Sequence, residues 1–145
     1  MCSTLILLIG VMEDFSGKIK PIIRLLTIFI SSLIFVFYQE RLPKIEVPIL
    51  ESILSDIPFA EEVFFAIGLT MVANGMNMID GVNGLAGMSA LSIILAISSI
   101  LAFYGGLQLY ISELFFLMIP LTIFLLFNFP FGKIFLGDAG AYWIG

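Results

Sequence analysis

Four long apolar runs constrain this chain more than any other feature. They cover residues 21–38, 62–78, 85–104 and 110–127. Each comes near the roughly 20 residues that a helix needs to cross the hydrocarbon of a bilayer. They lack the every-other-residue alternation of a barrel strand and are too long for one. A soluble core does not account for them, because only 12% of the residues are charged and 61% are hydrophobic, with a mean hydropathy of +1.17. Soluble domains carry about 25% charged residues, and a chain of 145 residues has too much surface to cover with so few. The expected fold class is all-α: a polytopic helical membrane protein with about four full transmembrane helices and partial ones at both ends. The partial ones are TLILLIGVM, residues 4–12, and the apolar start at 141–145. Both fall short of a span, so residues 1–145 read as a single membrane domain and as the central part of a longer protein.

The loops between four spans alternate sides. Residues 13–20, 77–84 and 128–140 fall on one side, and 39–61 with the turn 105–109 on the other. Lys18, Lys20, Arg24 and Lys133 lie on the first side, against Arg41 and Lys44 on the second. The bias of Lys and Arg toward cytoplasmic loops makes the first side the cytoplasm. The acidic loop at 39–61, with Pro43 and Pro48, reads as an external excursion without evident chemistry. A net charge of −5 argues against nucleic acid as a partner, since phosphate binding needs clustered Lys and Arg. Cys2 is the single cysteine, so no disulfide closes within the chain. Met1 is followed by no basic stretch and the first apolar run by no small-residue cleavage site, which argues against a secretory signal.

Three polar segments therefore share one face: GVMEDFSGKIK, NGMNMIDGVNG and FPFGKIFLGDAG. They hold Glu13, Asp14, Asp80 and Asp138, all the acids of that side. Carboxylates with Asn carbonyls nearby suit a hard cation such as Mg²⁺, which prefers one or two carboxylates plus substrate phosphates. The interleaved glycines permit bends and close backbone approach, and N–H groups at a following helix start can hold phosphate oxygens. Lys18, Lys20 and Arg24 can neutralise an anionic headgroup. The constellation favours chemistry on phosphates delivered to a lipid. Simpler roles remain open for each part. Gly81, Gly84 and Gly87 at i+3 spacing can serve helix packing, Asp80 or Asp138 can be an interfacial cap, and Glu13-Asp14 can be an ordinary loop. Tyr142 and Trp143 read as interface anchors.

These segments resemble a known family. NGMNMIDGVNGLAG is similar to the NAxNxxDGxDGLxxG signature of the polyprenyl-phosphate N-acetylhexosamine-1-phosphate transferases of glycosyltransferase family 4. FGKIFLGDAGAYWIG resembles that family's FxGDxGSxxxG segment, and GVMEDFSGKIKPIIRL its G-x-x-DD segment with the basic residues that follow. Order and intervening spans also match, so the resemblance covers nearly the whole chain. It looks closest to the bacterial branch that starts O-antigen or other envelope polysaccharides. What it implies is transfer of sugar 1-phosphate from a UDP-N-acetyl sugar to undecaprenyl phosphate, releasing UMP. The setting implied is the bacterial inner membrane, multi-pass, with the site toward the cytoplasm. By the same resemblance Asn77 and Asp138 are expected as Mg²⁺ ligands. Asp14 with Glu13 would activate the lipid phosphate, as base or as nucleophile, and Asp80 would sit among the catalytic contacts to metal and nucleotide-sugar. Lys20, Arg24 and Asn83 are expected as substrate-binding residues. The sequence departs from the pattern at Glu13, where Asp is usual, at Asn83, where many members have Asp, and at Ala141, where Ser is usual. It also contains no His, although the family usually carries one beyond the third motif.

Rival readings differ in what they require. A transporter with glycine-broken helices would carry its acids near the midplane, and an intramembrane aspartyl protease would need a Tyr-Asp pair that this sequence lacks. A truncated remnant of the transferase would keep the motifs without the activity. The sugar and the oligomeric state, a homodimer included, are left open by the sequence.

Overall fold

The computed structural model describes residues 2–17, 19–105 and 108–145. Lys18 and part of the 105–109 turn lie outside the described residues, as does the side chain of Cys2. Among the described residues the elements are seven helices and no strand: α1 (Cys2–Ser16), α2 (Pro21–Phe37), α3 (Pro48–Ser55), α4 (Ala60–Ile79), α5 (Leu85–Phe103), α6 (Gln108–Asn128) and α7 (Gly137–Ile144). The four apolar runs are α2, α4, α5 and α6, as expected for a polytopic helical membrane protein. Three of them contain stretches long and apolar enough to cross a membrane, Ala60–Ile79, Leu85–Phe103 and Tyr110–Asn128. The fourth, α2, is apolar but has 17 residues, about 25 Å of helix against about 30 Å of hydrocarbon. Large apolar side chains such as Phe103, Phe116 and Leu126 stay exposed along these helices. That is the outward face a lipid solvent requires.

Local signals fix the ends. Pro21 sits at the first position of α2, after Lys20 in extended conformation; its missing N–H is one that no helix start can pair. Gly84, with φ +81°, turns the chain into α5. Two expectations change. The segment 13–20 is not wholly a loop, because α1 continues through Ser16 and carries Glu13 and Asp14 on its last turns. The 39–61 segment holds the short helix α3, started by Pro48. Phe37, the last residue of α2, stacks edge-on against Phe59, just before α4, at 5.9 Å between centroids, which ties the two ends of that segment together.

Helix α1 packs on α7 and α2, α4 packs on α2 and α7, and α5 pairs with α6. One buried cluster joins Ile28 of α2, Ala73 of α4 and Tyr142 of α7, with Ile6 of α1 against it. A second joins Met76 of α4, Ala90 of α5 and Leu121 of α6, with Ile144 of α7 against it. Helices α4 and α7 thus belong to both clusters. Because the chain alternates direction, the C-terminal ends of α1, α4 and α6 meet the N-terminal ends of α2, α5 and α7. The three polar segments lie at that end.

Candidate active site

The site is built around the start of α7. Asp14, exposed at the end of α1, accepts hydrogen bonds from the backbone N–H of Asp138 at 2.8 Å and of Ala139 at 3.2 Å. The first N–H groups of a helix have no partner within it, and a carboxylate there also meets the favourable end of the helix dipole. Two glycines permit this docking. A Cβ on Gly10 would lie 2.6 Å from the Ala139 nitrogen, so α1 and α7 touch backbone to backbone there. Gly137 has φ +68°, and a Cβ on it would lie 2.9 Å from Asp14 Oδ2.

From the other side comes Asp80, at the C-cap of α4 and only 7% exposed. Its Oδ2 accepts the N–H of Leu136 at 3.0 Å. Burial pushes its carboxyl above the ordinary pKa. The Leu136 and Gly137 N–H groups oppose that shift, and the nearby charges of Asp138 and Asp14 add to it. The first, second and third polar segments are therefore joined by direct hydrogen bonds, as their shared face required.

Arg24, on the first turns of α2, reaches into the same place. Its guanidinium contacts the Asp138 carboxylate and lies 3.4 Å from Glu13 Oε1. The other Glu13 oxygen accepts the N–H of Ile19 at 2.9 Å, fastening the turn between α1 and α2. Glu13 thus faces Arg24 and its own turn while Asp14 faces α7. Lys20 is exposed one turn before Arg24.

Asn77, on the last turn of α4, donates its Nδ2 to the Tyr142 hydroxyl at 3.0 Å. Tyr142 lies one helical turn beyond Asp138, about 6 Å along the axis, so the two side chains share a face of α7. Tyr142 is only 2% exposed. It is a core residue holding Asn77 rather than an interface anchor, because packing on α1 and α4 turns its face of α7 inward; Trp143, its neighbour, is half exposed. Asn83 does something different from the acids: its Nδ2 donates to the Pro130 carbonyl at 2.9 Å. Beside it, buried Asn128 at the end of α6 accepts the Gly84 N–H and donates to the Ile134 carbonyl at 2.7 Å. Asn128 and Tyr142 were not singled out from sequence as site-building residues. The available signals were an amide closing an apolar run and a tyrosine four residues after Asp138.

The two residues expected to hold a cation offer oxygens here, the Asp138 carboxylate beside Arg24 and the side-chain amide of Asn77 beside Tyr142. No group of three or more His, Cys, Asp or Glu in a metal-holding arrangement occurs among the described residues. The Arg24 guanidinium shows that a positive charge is held between Glu13 and Asp138. A hard divalent cation takes oxygen ligands of this kind and needs few of them from the protein.

A family model of glycosyl transferase family 4 matches residues 1–145, the full length of the sequence. The chain belongs to this family. No curated protein and no solved structure matches it. Membership in glycosyl transferase family 4 makes the protein a membrane glycosyl-1-phosphate transferase, acting on a nucleotide-sugar and a polyprenyl phosphate. The acidic end of the bundle, where the three polar segments meet, is the candidate active site.

Proposed function

We propose that the protein transfers an N-acetylated sugar 1-phosphate from a UDP-sugar to undecaprenyl phosphate and releases UMP. A lipid-phosphate oxygen attacks the β-phosphorus of the UDP-sugar, the bond from that phosphorus to the UMP oxygen breaks, and UMP leaves. The observation that carries this reading is the pair of hydrogen bonds from α7 to Asp14, which joins the acidic pair to the Asp138 segment. It sets acids, an amide and a cation at one end of membrane helices, where a lipid phosphate and a water-soluble nucleotide can both arrive.

In this reading Asp138 and Asn77 hold Mg²⁺, which when bound stabilises the charge on the diphosphate. Asp14, exposed beside the α7 N-terminus, acts as the base that takes the proton of the attacking lipid phosphate. Lys20 is placed to attract that phosphate from the membrane surface. Buried Asp80 acts by holding the 136–137 backbone under the diphosphate, and Asn83 shapes the rim through Pro130. The basic residues of this end favour the cytoplasmic side of a bacterial inner membrane, and envelope polysaccharide initiation, O-antigen included, is the role that the motif resemblance suggests.

The test is UMP release by membranes containing the protein, with UDP-N-acetyl sugars supplied one at a time. Release that requires both undecaprenyl phosphate and Mg²⁺, and stops with EDTA, supports the reading. No UMP release from any UDP-N-acetyl sugar, with the protein present in the membrane and Mg²⁺ and undecaprenyl phosphate supplied, would contradict it.

A further inference from the structure

Arg24 sits in a place that a phosphate-seeking side chain would not occupy. Its Nη1 is shared between Glu13 and Asp138, and the three side chains are 22%, 15% and 20% exposed respectively. Its Nε is buried without a hydrogen-bond partner. A guanidinium matches carboxylates best as a two-pronged fork. Here one nitrogen serves two acids on different helices while Nε remains unsatisfied, and a buried donor left unpaired costs free energy. The seat is therefore electrostatically strong and geometrically poor. Four carboxyls, those of Glu13, Asp14, Asp80 and Asp138, converge on this end of the bundle. Arg24 is the cation in contact with two of them.

We infer that Arg24 is an exchangeable counter-ion for Asp138. Its guanidinium holds the carboxylate while no divalent cation is bound, and it gives Asp138 up, keeping Glu13, when one binds. The inference rests on the reading of Asp138 as a metal ligand. Its physical content is competition. A hard dication satisfies a carboxylate through direct oxygen coordination, and a guanidinium on the same carboxylate would repel it, more strongly in a largely buried site than in water. Release leaves Arg24, on the first turns of α2 and one turn from Lys20, free to face an incoming phosphate. The site would then acquire its phosphate-binding charge only after it has acquired its cation.

Two measurements on the protein in lipid nanodiscs test this. The first is Mn²⁺ binding, read from the loss of the free-ion electron paramagnetic resonance signal, for the wild type, Arg24→Gln, Arg24→Lys and Asp138→Asn. Arg24→Gln is expected to tighten Mn²⁺ binding about fivefold or more, Arg24→Lys to stay nearer the wild type, and Asp138→Asn to weaken it severely. Unchanged or weaker binding in Arg24→Gln, with Asp138→Asn still deficient, overturns the counter-ion role while leaving Asp138 as a ligand. Wild-type binding in Asp138→Asn overturns the metal reading itself, and the inference falls with it. The second measurement needs no variant. The chain has two arginines, Arg24 and Arg41, so ¹⁵N-arginine labelling gives two guanidinium environments. Saturating Mg²⁺ is expected to shift the Arg24 resonances and leave those of Arg41 in place. An unmoved Arg24 signal overturns the inference.

Discussion

Asp14 and Asp138 are 124 residues apart in sequence, and the carboxylate of the first accepts the backbone N–H of the second at 2.8 Å. This contact joins the first and third polar segments, and the bond from the Leu136 N–H to Asp80 brings in the second. The contact at Asp14 depends on two glycines that leave room for it.

Gly10 is the tighter of the two. Its replacement by Val would drive a side chain into the Ala139 backbone, and neither backbone can yield without separating α1 from α7. Overpacking of this kind costs about 1–3 kcal/mol, and a displacement of about 1 Å in a reacting group can cost about 10²-fold in rate. Gly10→Val is expected to lower the thermal midpoint modestly and the transfer rate severely, as measured by thermal unfolding and UMP release on the same preparation.

Gly137 carries two separable penalties. An alanine at φ +68° is strained by about 1–2 kcal/mol, and its Cβ also crowds Asp14. Gly137→Ala should therefore destabilise more in the wild-type background than in an Asp14→Ala background, where the crowding is gone and the backbone strain remains. Equal losses in the two backgrounds, from a double-mutant cycle of thermal unfolding, would mean that Asp14 and Gly137 are not in contact.

Asn128 is 1% exposed and satisfies one N–H and one carbonyl from two different segments. Its replacement by Leu preserves bulk and strands both groups, at about 1–3 kcal/mol for each buried group left unpaired. The expected result is faster hydrogen exchange at the Gly84 amide, with α5 and α6 still helical by circular dichroism.

Asp80 gives a pH signature. Its folded-state pKa is raised, chiefly by burial, so the folded protein holds a proton there over a range in which the unfolded chain has already lost it. The favourable contribution is fully present below the unfolded pKa and disappears as pH rises through the raised folded value. Relative to Asp80→Asn, which does not titrate, the wild type should lose stability between acidic and neutral pH. Thermal midpoints of both proteins across that window check the sign; a wild type that gains on the variant as pH rises would contradict it.

The helices were legible because apolar runs near span length leave a membrane chain few alternatives. The shared face of the acids followed from counting crossings, and the bonds from Asp14 and Asp80 to the 136–139 backbone bear it out. Less legible was what depends on rotation about helix axes. Glu13 and Asp14 are adjacent in sequence but point to different partners, Arg24 and α7, because successive helical residues are not neighbours on the helix surface. Tyr142 beside Trp143 carries the look of an interface anchor, and only the contact of α7 with α1 and α4 shows that its face is turned inward. Arg24 read as a cation for the lipid headgroup, and sequence spacing does not reveal that it also reaches Glu13 and Asp138. The extension of α1 through Ser16 was hidden because acids and a serine close it where a loop composition was expected.

The central claim is that the Asp14–Asp138 junction is the active site of a sugar 1-phosphate transfer to lipid. Its most direct test is incorporation of label from β-³²P-UDP-N-acetyl sugar into organic-extractable lipid, comparing the wild type with Asp14→Asn and Asp138→Asn. All three proteins must be present in the membrane at equal amounts. Both variants are predicted to lose at least about 10²-fold of the wild-type rate, the scale of removing one electrostatic contributor from an active site. Label incorporated at the wild-type rate by either variant would contradict the assignment.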